Sequence, residues 1–245
     1  SIISAMGFLA LAVTSRLLRN YLVGVDSASR LFVFIVFFLC LSPFFFAAQV
    51  NVIRQGAAMA FLHLFLVGIV CRVHWFWLVL LAITAIGFHY TSVIYVAGAL
   101  LLTLSYPALT WFVLLFFALY LMGVTEIILY FSSGIFGVNL YEKILEYGAD
   151  QTYRIGIRPD FAVFTIFSGL FMQFIIGFSF DNERKSRLLH LVKIYWVLVF
   201  PFFFLGYGAY SDRYLLNGWV FISVIFAAIF ASVKMVNRLS FGILF

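Results

Sequence analysis

An arginine and a glutamine, Arg54 and Gln55, open one of the apolar runs of this chain, and small residues follow them over 56–60. Charge at the edge of an apolar zone is costly and tends to be functional in membrane proteins. The N-terminus of a helix attracts anions, and a guanidinium group matches the oxygens of a phosphate. The pattern therefore predicts an anion site, and the alternative is an arginine that only extends to the membrane interface.

Two side chains have the chemistry to exchange protons. His89 begins the polar group 89–92 between two apolar runs, where a neutral imidazole can relay a proton or bind a sugar hydroxyl. The alternative is that it only satisfies the backbone at a helix break. Glu126 lies deep inside an apolar run, where a carboxylate must pair, face a wet cavity or stay protonated. We interpret Glu126 as a partner for an arginine or a catalytic base.

Further charges stand just before two later apolar runs. Arg154 and Arg158 are four residues apart and precede Pro159 and Asp160, a sequence typical of a helix start. The two arginines have the charge to clamp a diphosphate or an anionic sugar, and a polar collar at the membrane surface is the alternative. Asp212-Arg213 lies between tyrosines in a short turn, where it forms an ion pair or presents a carboxylate to a sugar hydroxyl.

The remaining histidines and the cysteines give no metal-site pattern. His63 is alone in an apolar helix and is expected to be packed and hydrogen-bonded, whereas His74 and His190 are expected to be solvated. Cys40 and Cys71 have no CxxC spacing, so we interpret them as small apolar residues. The chain also lacks Walker A, HExxH and GxSxG sequences. We expect no metal and no cofactor.

The elements that must position these residues are membrane helices. Hydrophobic residues make up 66% of the 245 residues and charged residues 10%, too few for a water-facing surface. The net charge is +6, and the basic residues lie between the apolar runs. This position indicates that they orient the chain in the membrane and contact anionic lipid, and it does not favour nucleic-acid binding. We predict an all-α polytopic membrane protein, one domain over 1–245, with about nine transmembrane helices, some short or broken. The predicted spans are Ser1–Ser15, Leu31–Gln49, Val52–Val70, Trp75–Phe88, Thr91–Tyr106, Thr110–Phe131, Phe161–Phe180, Leu191–Gly208 and Leu215–Val233.

The run Trp75–Tyr106 is either one long helix or two short ones, and the distribution of basic residues favours two. Ten of the fifteen basic residues then fall on the inner side, whereas one helix would leave seven there. With two helices, six of the candidate residues fall together on the outer side, namely Arg54, His89, Arg154, Arg158, Asp212 and Arg213. So does the polar segment 132–160, in which 140–147 has the spacing of an amphipathic helix at the membrane surface. Because the chain starts at Ser1 inside an apolar run, we expect further spans to precede it.

Three segments together resemble the EpsG-type branch of the Wzy-type O-antigen and exopolysaccharide polymerases. They are Asn51–Ala60 with its Arg-Gln pair, Gly87–Ser92 with Phe-His before Ser, and Ser211–Tyr214 with Asp-Arg-Tyr. Their order and approximate spacing match the family pattern. The resemblance implies a GT-C-like helical bundle with a periplasmic amphipathic loop in the bacterial inner membrane, whose active site faces the periplasm.

The resemblance also implies a reaction and partners. The enzyme would join oligosaccharide repeat units carried on undecaprenyl diphosphate into O-antigen or exopolysaccharide, within the membrane lipid and with a chain-length regulator protein as a partner. Arg54, Gln55, Arg154, Arg158, Arg213 and Glu126 are then expected to bind diphosphate or sugar, and Asp212, His89 and Arg54 to act in catalysis. The alternatives are an O-antigen ligase and a lipid-linked oligosaccharide flippase.

Overall fold

The structure is a computed structural model that describes residues 2–50, 53–135, 142 and 155–233, and within these ranges the chain is helical and has no strand. We number the α-helices in chain order; a 3₁₀ helix, Ala99–Thr103, continues α6. The α-helices are α1 Ile2–Tyr21, α2 Ala28–Cys40, α3 Pro43–Val50, α4 Ile53–Val70, α5 Trp75–Phe88, α6 Ser92–Gly98, α7 Tyr106–Leu121, α8 Val124–Ile135, α9 Pro159–Ser179, α10 Asn182–Val199, α11 Phe202–Leu205 and α12 Asp212–Ser232.

Proline and glycine divide two of the predicted spans. The predicted span Leu31–Gln49 is two helices, because Pro43 starts α3 after a break at 41–42. The predicted span Thr110–Phe131 bends by 86° between α7 and α8. Gly123 stands at that bend with φ +74°, a left-handed conformation that ends a helix and suits glycine. Each of these two predicted spans therefore consists of two helices, and α8 runs almost at right angles to α7.

The predicted number of nine spans is not confirmed. In the described ranges, four helical stretches are long and apolar enough to cross a membrane, and the bent pair of α7 and α8 forms a fifth if it counts as one span. The four are Ile53–Val70, Pro159–Ser179, Asn182–Leu205 and Asp212–Ser232. The predicted spans around α2, α5 and α6 correspond to shorter apolar helices. The chain is an all-α, multi-pass membrane protein, and its described ranges contain fewer full-length spans than the apolar runs predicted.

Helix α10 forms the centre of the bundle, and its residues from Leu191 to Val199 are all buried. Two glycines bring its neighbours close. A Cβ on Gly169 of α9 would lie 2.1 Å from Trp196, and one on Gly218 of α12 would lie 2.3 Å from Val199. In a membrane the hydrophobic effect does not drive helices together, so small residues at such crossings stabilise the bundle by allowing close van der Waals packing.

The chain reverses direction after α5, as the basic residues predicted. Near the start of α6, Tyr95 donates a hydrogen bond of 2.8 Å to the carbonyl of Tyr214, at the beginning of α12. Leu102, at the end of the 3₁₀ helix, lines the same cavity as Arg72, which follows α4. The run Trp75–Tyr106 therefore consists of two helices, and the bundle has two distinguishable ends. We call them the Arg213 end and the Arg187 end, after a residue at each.

Candidate functional site

Three hydrogen bonds fix the first turns of α12 at the Arg213 end. Gln55 donates through Nε2 to the carbonyl of Arg213 at 2.6 Å. Tyr95 donates to the next carbonyl, and Nε2 of His63 lies 2.8 Å from the carbonyl of Asn217. His63 is thus buried and hydrogen-bonded, as its sequence context predicted. These contacts join α4 and α6 to the turn that carries Asp212 and Arg213.

Arg54 lies beside this junction at the first turn of α4. Its side chain is exposed, whereas Gln55 and the small residues after it, Gly56, Ala57 and Ala58, are buried against the bundle. No hydrogen bond or ion pair joins Arg54 to another of the residues that the structure describes. The guanidinium group therefore stands at a positive helix end with its donors available to an anion.

His89 ends α5 at the same end of the bundle. Its backbone N–H donates to the carbonyl of Ala85 at 3.0 Å, and its ring is half-buried. Burial lowers the pKa of His89, and the positive charge of Arg213 lowers it further. The imidazole is therefore neutral at neutral pH, the form that can accept a proton.

An ion pair between Asp212 and Arg213 was one of the two alternatives for this turn, and the structure does not show it. The guanidinium carbon of Arg213 lies over the ring of Tyr210, 4.1 Å from its centroid, and an Asp212–Arg213 bridge is not among the ion pairs of the described residues. Tyr210 itself has φ +61°, in a region that is uncommon for a residue with a Cβ. The strained turn thus holds the guanidinium group of Arg213 against an aromatic ring.

Arg158 provides a second positive group. It forms two bonds with the carboxylate of Asp160, from Nη2 at 2.7 Å and from Nε at 3.0 Å, and lies over the ring of Phe161. Its backbone N–H donates to the hydroxyl of Tyr120 at 2.9 Å. The hydrogen bonds that Arg158 donates to Asp160 raise the pKa of Arg158 most, and the negative charges of Asp160 and Asp212 raise it further. The ring of Phe161, in the first turn of α9, packs against Trp219 of α12 with the centroids 5.4 Å apart, so the start of α9 lies against α12.

Glu126 lies just after the bend at Gly123, and not in the middle of one continuous helix as predicted. The bend at Gly123 places it in the first turn of α8, half-buried near Tyr207. Burial, and then the charge of Glu126, help to raise the pKa of Tyr207 to about 12. Tyr207 also bonds Thr125 through its hydroxyl and accepts from the N–H of Gly156 through its carbonyl, at 2.7 Å for the latter.

Two buried polar atoms in this region have no hydrogen-bond partner among the described residues, the side-chain oxygens Oε1 of Gln55 and Oγ of Ser211. Their side chains are 3% and 2% exposed. Such atoms are costly to leave unpaired, so a water or a ligand hydroxyl is the natural partner.

The structure brings most of the predicted residues to one end and also adds others. Arg54, Gln55, His89, Arg158, Asp212, Arg213 and Glu126 all lie there, whereas Arg154 and the predicted surface helix 140–147 fall outside the described residues. Sequence reasoning missed Ser211, Tyr95, Tyr120 and Tyr207 as contributors. Ser211 belongs to the segment Ser211–Tyr214, which the sequence analysis had identified. The three tyrosines make contacts with residues distant in sequence, and no local sequence pattern indicates such contacts. No group of residues able to hold a metal ion occurs in the described part of the chain.

One of three comparisons with known proteins found a match. No curated protein and no solved structure matches the chain. The model of the EpsG family matches residues 2–245, effectively the whole chain. That family includes Wzy-type polymerases, and its membership indicates a membrane polysaccharide polymerase of the glycosyltransferase kind. With the multi-pass helical bundle and the polar cluster at one of its ends, this match shows that the chain belongs to the EpsG family.

Proposed function

We propose that the protein polymerises oligosaccharide units carried on a polyprenyl diphosphate, undecaprenyl diphosphate in bacteria, and that the Arg213 end is its active site. The observation that supports this most is the convergence of arginines, a neutral histidine and a carboxylate from four separate helix ends. Arg54, His89, Arg158 and Asp212 come from the ends of α4, α5, α9 and α12.

The reaction breaks the bond between a sugar C1 and the diphosphate oxygen and forms a bond from C1 to the hydroxyl of a second unit. The leaving diphosphate gains negative charge, and cations held toward it stabilise that change. Arg54 and Arg213 are our candidates for this role, and the bond from Gln55 to the carbonyl of Arg213, which joins the first turn of α4 to the start of α12, supports it. Oε1 of Gln55 and Oγ of Ser211 are unpaired in the described residues and suit sugar hydroxyls.

The acceptor hydroxyl must lose its proton to a base. Neutral His89 is our first candidate, because the lowered pKa keeps its ring able to accept a proton. Asp212 is the second candidate, and its position near Arg158 favours a role in orienting the sugar. Arg158, already paired with Asp160, would then mainly hold Asp212 in place.

The excess of basic residues at the opposite end supports an orientation with the Arg213 end outside the bacterial inner membrane. In that orientation the donor and acceptor are both lipid-linked units in the outer leaflet. O-antigen or exopolysaccharide would be the product, and a chain-length regulator protein would be a partner.

Replacement of Arg54 by alanine tests this assignment. In cells whose only copy is Arg54→Ala, we expect polymer to fall by about 10²–10³-fold, as when a group that stabilises transition-state charge is removed. Single lipid-linked units should accumulate on the outer leaflet. Gel electrophoresis measures the amount and length of the polymer, and surface labelling measures the single units on the outer leaflet.

Arg19→Ala is the matched control, because Arg19 is an exposed arginine at the other end of the bundle. It should leave polymer unchanged. Normal polymer from Arg54→Ala at normal protein level would remove Arg54 from the mechanism, and accumulation of untransported units inside the cell would favour a flippase.

A further inference from the structure

A cavity of about 550 Å³ lies at the Arg187 end, where α1, α4 and the 3₁₀ helix finish and α10 begins. Its polar lining residues are Tyr21, Arg72, Ser186, Arg187, His190 and Lys193. The side chains of Ile69, Val70, Cys71 and Leu102 form the rest of its lining. None of these residues belongs to the candidate active site, which is at the other end of the bundle.

Among the described residues, the lining of the cavity is positive and includes no carboxylate. Arg187 bonds Glu183, an exposed residue that does not line the cavity, through Nη2 at 2.8 Å. Arg72 forms no ion pair with any described residue, and neither does Lys193. Charges gathered in this way repel one another unless an anion lies between them.

Lys193 gives the strongest indication of a ligand. It is only 8% exposed, and its Nζ donates to the carbonyls of Leu102 and Leu104 at 2.6 Å each. These neutral acceptors satisfy two of its three donors but do not cancel its charge. Burying a cation without a counter-ion is costly, so an anion in the cavity would offset that cost.

Arg72 has a backbone conformation that an arginine seldom adopts. It follows α4 with φ +56°, at a position where glycine or asparagine would fit without strain. An unfavourable residue held at such a position indicates a use for its side chain. Here the turn presents a guanidinium group, suited to phosphate oxygens, at the cavity.

His190 and Tyr21 contribute a further donor. We expected His190 to be solvated, but it is half-buried, with Nδ1 2.5 Å from the hydroxyl of Tyr21. When the tyrosine donates to Nδ1, the neutral ring carries its proton on Nε2. Arg187 also donates to the carbonyl of Tyr21, so the last turn of α1 is fastened to α10 beside the cavity.

We propose that this cavity binds the phosphate group of an anionic phospholipid from the leaflet at the Arg187 end. The ligand chemistry is a phosphate ester, held by Arg72, Arg187 and Lys193. A lipid fits better than a soluble phosphate compound, because the apolar lining residues provide a surface for the start of the acyl chains.

The test uses the full chain in nanodiscs of phosphatidylcholine with a small fraction of phosphatidylglycerol. Native mass spectrometry measures how much phosphatidylglycerol each variant retains. We expect wild-type protein to retain it in preference to phosphatidylcholine. Arg72→Gln should bind it about fivefold more weakly, the effect of one basic residue at an anionic membrane surface.

Arg30→Gln is the control, because Arg30 is a half-exposed arginine, paired at 3.5 Å with Asp26, that does not line the cavity. It removes the same charge and should leave retention unchanged. Arg72 is itself exposed, so its variant is expected to fold, and a size-exclusion profile checks this.

A separate arm distinguishes a lipid from a free phosphate. Inorganic phosphate is added to protein in phosphatidylcholine alone, and melting temperature is measured. Little stabilisation is expected. An Arg72-dependent rise in Tm with inorganic phosphate, or equal retention of phosphatidylglycerol by wild type, Arg72→Gln and Arg30→Gln, would overturn the proposal. The readout is lipid binding, so the outcome is independent of polymerase activity.

Discussion

At the scale of single residues, the effect of the positive charge of Arg213 on His89 links electrostatics to chemistry. A cation close to an imidazole disfavours its charged form, and partial burial acts in the same direction. The ring therefore remains a base under conditions where an ordinary histidine is largely protonated. Arg213 would then have two roles: it would stabilise the negative charge of the leaving diphosphate, and it would keep His89 neutral and able to accept a proton.

This dual role predicts a change in pH dependence. If His89 is the base, activity should fall as the pH drops through its lowered pKa, below the ordinary value of about 6.5. In Arg213→Gln the pKa of His89 should rise, so the acid limb of the residual activity should move to higher pH. Polymerisation in membrane vesicles across a pH series measures the limb.

Two companion variants make that measurement specific. His89→Gln should abolish the acid limb of the pH profile together with most of the activity. Arg19→Gln should have the same acid limb as the wild-type protein. An acid limb that stays in place in Arg213→Gln would separate Arg213 from the base.

At the scale of elements, the crossing of α9 and α10 depends on a missing side chain. Trp196 is fully buried, and its ring fills the space that a Cβ on Gly169 would occupy. The indole of Trp219 on α12 donates to Thr165 Oγ1 at 3.0 Å, one turn before Gly169 on α9. The helix that carries Asp160 is thus held by large side chains packed against a small one.

Gly169→Ala is therefore expected to destabilise the bundle by about 1–3 kcal/mol, the usual cost of adding a group to a filled core. The matched control is Gly7→Ala, at a helical position where the added Cβ meets no atom within 4 Å. That change should have no cost, since alanine favours helix. Thermal unfolding in detergent followed by size exclusion compares the two, and equal melting temperatures would contradict the close crossing.

At the scale of the whole molecule, the sequence predicted those features that depend on local composition. Apolar runs located the helices, and the polar group at His89 located the reversal. Both predictions were possible because the bilayer thickness and the need to satisfy backbone hydrogen bonds act on each segment separately. The bend at Gly123 was missed because the residues on both sides of it are apolar. Tyr120 and Tyr207 were missed because they bond to partners far along the chain, which periodicity cannot show.

The orientation of the bundle leads to a labelling prediction. Tyr90 is 76% exposed at the Arg213 end, and His74 is exposed at the Arg187 end. After Cys40 and Cys71 are replaced by alanine, a membrane-impermeant thiol reagent on intact cells should label Tyr90→Cys but not His74→Cys. Permeabilised cells should show both. Reaction of His74→Cys alone in intact cells would invert the orientation.

The hydrogen bonds to the opening of α12 have a consequence for substrate range. Gln55, Tyr95 and His63 hold three of its carbonyls, so the spacing between Arg54 and Arg213 is a constant set by the scaffold. A carrier diphosphate has the same dimensions whatever glycan it bears, and a constant spacing suits it. Relatives that handle different glycans should therefore keep these three anchors and differ in the side chains that surround them.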